Sequence, residues 1–258
     1  IELTADNYLT RIDEVLGVYT NAVDVYFFDD GSVTTLDNMC YNNNTTTKDR
    51  IQNVTFLDGY FENCTSFKGT FREVKGLVTV TGIPDNISEM NYAFFNIPTL
   101  ISVSKIPSKC TNFNVTFRGC GNLTSVPVNG WTGTLYMTFM ECASLNQQIN
   151  ITNPTALNDI FCGCSSLEIS PTFTGTYTGD IGSLFSGCSK LTKITLPTTW
   201  KPSSAQDTFK NCTKLVTIEN LGALDMSNCT NMGNMFFACR KLSEVNLFIL
   251  ASLLNSDP

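Results

Sequence analysis

Apolar and polar positions alternate along this chain in a repeating order. A frame of Phe, two residues, Cys, two residues, Leu runs through Phe117/Cys120/Leu123, Phe139/Cys142/Leu145, Phe161/Cys164/Leu167, Phe185/Cys188/Leu191, Phe209/Cys212/Leu215 and Phe236/Cys239/Leu242. Two earlier copies, Phe71/Val74/Leu77 and Phe94/Ile97/Leu100, keep the frame without the thiol. From Phe71 the rings recur at steps of 23, 23, 22, 22, 24, 24 and 27 residues. A period of about 20–29 residues with fixed apolar positions predicts a solenoid, each repeat forming one coil that buries its apolar edge against its neighbours.

Each frame is followed by a short period-two run: Leu77 to Pro84, Leu100 to Pro107, Leu123 to Pro127, Leu191 to Pro197, Leu215 to Glu219 and Leu242 to Leu247. Alternation over strand length with β-branched residues predicts one strand per coil, ended by proline in several copies. The Phe-x-x-Cys phrase reads as a helical turn or tight arc with both side chains inward. Variable stretches rich in Gly, Asn and Thr, such as Val128 to Leu135 and Pro171 to Asp180, are expected on the convex side or at an edge. The start differs. Leu9, Ile12, Val15, Leu16 and Tyr19 share one face of a helix capped near Thr4, and Val23 to Phe28, a turn at 29–32 and Val33 to Leu36 read as a hairpin. Asn42 to Thr47 is a low-complexity loop. The expected organisation is an N-terminal cap (1–58), a solenoid (59–247) and a C-terminal cap or tail (248–258).

Eleven cysteines raise the question of disulfides or metal. The six in the frame fall in one register and stack one per coil, about 4.7–4.9 Å apart with like side chains pointing the same way. A disulfide needs Cβ atoms about 3.5–4.5 Å apart on converging vectors, and tetrahedral zinc needs four converging ligands, so a ladder suits neither. Val74 and Ile97 in the same slot argue for buried free thiols acting as small hydrophobes. Cys40, Cys64, Cys110, Cys162 and Cys229 are off register, and Cys162 is expected to point away from the core.

Hydrophobic residues make up 42% of the chain and charged ones only 15%, so Asn, Thr and Ser must supply most surface polarity. The net charge of −7 speaks against nucleic acid and against docking on anionic lipid. The start at Ile1 fits a trimmed or mature product. The longest apolar stretch, Val245 to Leu254, is too short to span a bilayer and reads as the last strand and cap.

The chain has no histidine, which removes Ser-His-Asp and Cys-His chemistry, and no phosphate-binding glycine loop. Asp29-Asp30-Gly31 lacks the alternating carboxylates and distal Glu of a calcium loop, so no metal or cofactor is expected. Paired carboxylates could act on glycosides, but Asp58, Asp85, Glu89 and Asp180 fall at unrelated repeat positions. Binding has a definite place. Residues flanking the inward Val or Ile of each strand point outward: Thr79, Thr81, Ser102, Ser104, Ser125, Lys193, Thr195, Thr217, Glu219, Glu244 and Asn246. They form a hydroxyl-rich ladder expected on the concave side. Trp131, Tyr136, Tyr177 and Trp200 lie in the variable arcs, as anchors for sugar or protein or as lids over the core. Ten Asn-x-Ser/Thr sequons, including Asn63, Asn211 and Asn228, fit chance and turn chemistry and leave open a protist surface protein.

The frame Phe-x-x-Cys-x-x-Leu-x-x-Ile-x-Leu-Pro, whole at Phe185 to Pro197, resembles the BspA-type leucine-rich repeat. Leu224 to Leu242 is similar to a related repeat of bacterial surface lipoproteins. The resemblance covers about residues 60 to 247. It implies a right-handed leucine-rich-repeat solenoid of the α+β class, with one short parallel strand per coil and an N-terminal cap. It also implies an exported, extracellular or cell-surface bacterial protein that adheres to or binds a protein or glycan and is not an enzyme. The alternatives are a structural spacer in a surface layer or viral fibre and, more remotely, a glycoside-acting enzyme.

Overall fold

A computed structural model describes residues 2–3, 23–29, 31–40, 49–127 and 130–242. The chain divides into two compact units, Ile1–Asn129 and Gly130–Pro258. Each is a stack of coils joined by parallel strands. In unit 1, β1 (Glu2–Leu3), β2 (Val23–Phe27), β3 (Ile51–Phe56), β4 (Thr79–Thr81) and β5 (Ser102–Val103) form one sheet in chain order. In unit 2, β6 (Trp131–Thr134), β7 (Asn150–Ala156) and β8 (Thr172–Thr174) form one sheet, and β9 (Lys193–Thr195) pairs with β10 (Thr217–Glu219). Among the described residues the sole helical piece is a 3-10 turn at Leu221–Ala223.

The Phe-x-x-Cys phrase is therefore a tight arc and not an α-helical turn. Its backbone enters the left-handed region at two positions four residues apart, one on each side of the ring. Positive φ recurs two residues before each ring, as at Tyr92 (58°) and Asp159 (59°), and two residues after it, as at Asn96 (58°) and Gly187 (78°). That explains the Gly and Asn in the third place of the phrase, where L side chains with Cβ crowd the backbone. Every second N–H of the arc points to the next coil. Phe67, Gly69, Phe71 and Glu73 donate to the carbonyls of Glu89, Asn91, Ala93 and Phe95, and the intervening Thr70, Arg72 and Val74 close turns onto Phe67, Gly69 and Phe71. Phe161, Gly163 and their successors repeat this in unit 2.

Inside the arcs like side chains meet like. Phe71, Phe94 and Phe117 stack in unit 1 with centroids 5.9 and 5.2 Å apart. Phe139, Phe161, Phe185, Phe209 and Phe236 stack in unit 2 at 5.6 to 6.0 Å. The thiols are more than spacers. Cys164, Cys188 and Cys212 direct Sγ at the carbonyls of Phe139, Phe161 and Phe185 at 3.1–3.2 Å, so each weak S–H donor clips its coil to the preceding one. Buried threonines just before the ring do likewise: Thr70 donates to Leu36 O, Thr116 to Met90 O and Thr208 to Ile181 O. None of the eleven cysteines is in a disulfide, and Cys162 is half-buried.

Two expectations are corrected. Val23 to Leu36 forms no hairpin: β2 runs parallel to β1 and β3, and Thr35 bridges Ser66 in parallel. Asp29 redirects the chain by accepting hydrogen bonds from Val33 N–H and Ser32 Oγ. The stretches at 128–135 and 171–180, expected as variable segments on the convex side or at an edge, carry the sheet strands β6 and β8. Trp131, Tyr177 and Trp200 there are buried core residues, and Tyr136 is half-buried. The N-terminal helix, the 42–47 loop and the C-terminal strand and tail lie outside the described residues.

Candidate functional site

The inward row of each sheet is apolar: Val54, Val80 and Val103 in unit 1, Ile151 and Phe173, then Ile194, in unit 2. The period of two forces their neighbours outward. In unit 1 this brings Thr79 and Ser102 side by side with Asn53, and Thr81 beside Thr55. Asn53 Nδ2 donates to Asp24 (2.8 Å), Thr79 Oγ1 to Asn53 Oδ1 (2.6 Å), and Thr55 and Thr81 share a hydrogen bond of 2.9 Å. Ser104 accepts from Gly82 N–H at 3.2 Å. The hydroxyls of Thr55, Thr79, Thr81 and Ser104 are thus held by neighbours in the row.

In unit 2 Lys193, Thr195, Thr217 and Glu219 meet across β9 and β10. Lys193 Nζ lies 2.6 Å from Glu219 Oε1, and Thr195 Oγ1 donates to Glu219 Oε2 at 2.6 Å. Lys193, and after it Thr195, hold the Glu219 carboxyl below its ordinary range. Ser125 is exposed, but no strand forms around it. Glu244 and Asn246 lie outside the described residues.

Several outward residues escaped the sequence reading. Asn150, Thr152, Thr172 and Thr174 continue the ladder on β7 and β8, with Thr172 donating to Asn150 Oδ1 (2.6 Å) and Thr174 to Thr152 (3.1 Å). The alternation Thr172-Phe173-Thr174 was the available signal. A second polar row joins Thr35, Ser66, Glu89 and Asn112 through single parallel bridges. Ser66 Oγ lies within hydrogen-bond reach of both Asp37 and Glu89 there, with one proton to share between the two carboxylates. Asp58 and Asp85, read as unrelated, line one pocket of about 390 Å³ with Glu62.

Among the described residues no group of three or more His, Cys, Asp or Glu could hold a metal ion. Burial pushes the Cys64 thiol up to about 11 and those of Cys110 and Cys120 to about 12, which starves them of thiolate at neutral pH. Asp225 is held down to about 2 by Ser227 first and Lys201 next. Among the described residues no helix is long and apolar enough to cross a membrane.

The BspA type Leucine rich repeat region matches residues 62–168 and 158–253, in six copies. The match spans more than half of the chain, and the chain belongs to this family. No curated protein matches it in sequence. Among solved structures it is similar to the leucine-rich repeat protein TpLRR of T. pallidum, at 18% identity and a TM-score of 0.44 over 80% of this chain and 83% of that one. It is also similar to a leucine-rich repeat protein of Eubacterium ventriosum, at 14% identity and a TM-score of 0.40 over 86% and 84%. A leucine rich cell surface protein of Faecalibacterium prausnitzii matches at 15% identity and a TM-score of 0.27 over 95% and 86%.

Proposed function

We propose that this member of the BspA-type leucine-rich repeat family is a non-catalytic recognition module of the cell surface, capturing a protein or glycan on the outward face of its strands. The observation that carries the reading is the charged rung Lys193–Glu219–Thr195, which stands exposed on a backbone locked by its neighbours. Side chains already ordered lose little entropy on contact, which favours binding. Family membership supports a repeat-based binding module, and the low share of charged residues leaves such a rung as a local mark on a hydroxyl-rich face.

The test is a glycan and matrix-protein array probed with the purified chain, then with Lys193→Ala and Glu219→Ala. Each variant should weaken capture of the bound partner at least tenfold while the melting curve stays in place. Unchanged capture by both variants removes the rung from the reading. Concentration-dependent self-association with no captured partner would instead favour a spacer.

A further inference from the structure

Past the ends of β3 and β4 two neighbouring coils turn over unequal lengths. Thr55 pairs with Thr81, so the coils leave the sheet together. In the first coil the next turn closes with Cys64 N–H on Phe61 O, and the matching turn two coils on closes with Cys110 N–H on Pro107 O. Thr55 to Phe61 is three residues longer than Ser104 to Pro107 or Thr81 to Pro84. The extra residues are Asp58, Gly59 and Tyr60. In a stack of near-identical coils an insertion can only bulge outward, and such bulges fall on binding faces.

The bulge is built, not loose. Gly59 turns at φ 81° and Phe61 at φ 63°, a costly conformation for an aromatic residue. Phe61 is held there by burial and by edge contact with Phe56 at 5.3 Å. The next coil passes close beneath, because Gly82 lacks a Cβ that would fall 1.9 Å from Phe56 O. Asn63 Nδ2 bonds Gly31 O and Asn86 Nδ2 bonds Glu62 O, fixing both turns. A pocket of about 390 Å³ opens between them, lined by Asp58, Tyr60, Glu62, Asp85 and Lys105 among others.

Tyr60 is 43% exposed and meets Phe28 edge-on. Asp85 is paired with Lys105. Among the described residues the carboxylates of Asp58 and Glu62 meet no hydrogen-bond or ion-pair partner. The geometry points to a saccharide-binding site for one neutral pyranose ring. Its apolar C–H face lies on Tyr60, its hydroxyls donate to Asp58 and Glu62, and Lys105 donates to a ring or hydroxyl oxygen. Hydroxyl-to-carboxylate bonds are charge-assisted and short, which suits a ligand rich in O–H donors. Three carboxylates against one ammonium repel a uronate or sulfated sugar. The volume sits at the lower end of the roughly 300–1,000 Å³ of small-ligand pockets, room for one ring and not a chain.

This site uses none of the strand-face residues above, so either reading can fail alone. Glucose, galactose, mannose and N-acetylglucosamine are titrated onto the purified chain by saturation-transfer NMR, with tetralysine as a cationic competitor. One sugar is expected to bind with Kd on the order of 1 mM. Tyr60→Ala and Asp58→Asn, both at exposed positions, should each weaken it tenfold or more with circular dichroism unchanged, and Lys214→Ala, at an exposed position outside both sites, should leave it intact. Binding by none of the four sugars, binding that survives both pocket variants, or displacement in favour of tetralysine alone would each overturn the assignment.

Discussion

Unit 1 runs five strands through one unbroken sheet, whereas unit 2 divides its five between two sheets that stop at β8 and restart at β9. The ring columns and arc hydrogen bonds are equally regular in both. The interruption is local, a groove of about 600 Å³ lined by residues 170–175 and 195–199. Pro171 and Pro197 stand on its two margins, and neither has an N–H to give to a rung. A coil stack therefore has two independent fastenings. Within each unit the arc, with its stacked rings, holds successive coils, and the sheet holds only those whose neighbours offer donors at matching height.

The sharpest way to break this comparison is to remove a ring where the sheet is missing. Phe185→Ala should cost about 3–5 kcal/mol in urea unfolding, and Phe94→Ala, backed by β4 and β5, should fall at the lower end of that range. An equal or larger loss at Phe94 would show that sheet continuity carries none of the load. Next in size is Gly82→Ala in unit 1, expected to cost about 2–4 kcal/mol because the new Cβ meets fixed backbone. Gly175→Ala in unit 2 should cost about 1–2 kcal/mol, since its Cβ meets the end of the Asn153 side chain, which can move.

Buried thiols give both units an alkaline limb, through Cys64, Cys110 and Cys120 in unit 1 and Cys164, Cys188 and Cys212 in unit 2. A buried Cys such as Cys120, at about 12, keeps its proton when the unfolded chain, near 9.0, has released it. Its contribution is whole below pH 9 and is lost as pH rises toward 12, by about 1.4 kcal/mol per pH unit per thiol. Burial raises Cys188 as well, so Cys188→Val, which copies the Val74 of unit 1, should make the alkaline limb of unit 2 shallower by one thiol's share in unfolding curves taken from pH 7 to 11, Cys164 and Cys212 keeping the rest. A parallel limb would mean the thiols do not set it. The smallest effect is expected from Pro197→Thr. The restored N–H should slow amide exchange at the β8 and β9 margins with a stability change under about 1 kcal/mol. No slowing would trace the gap to the path of the coil and not to the missing donor.

Much of the arc was legible in the residues. Phe and Cys at fixed spacing placed one ring and one thiol inside each coil, and the structure buries Phe139, Phe161, Cys164 and Cys188 together. Their S–H bonds to Phe carbonyls were not legible, because spacing says where a side chain points and not which acceptor awaits it. The outward ladder was legible at Thr79, Thr81, Lys193 and Thr195, where alternation is clean. It was missed at Asn150, Thr152, Thr172 and Thr174, whose strands begin later in the coil than the repeat suggests. The pocket was invisible because Asp58 and Asp85 belong to different repeats and meet only through the bulge at Tyr60.

The repeating frame alone determined which side chains would lie against copies of themselves, since a constant period brings equal positions to equal heights whatever the local backbone does. Tertiary structure decided where strands form and where surface pockets open. A strand exists only if the adjacent coil presents its N–H and C=O groups in register, and that depends on prolines and insertions in a neighbour some two dozen residues away.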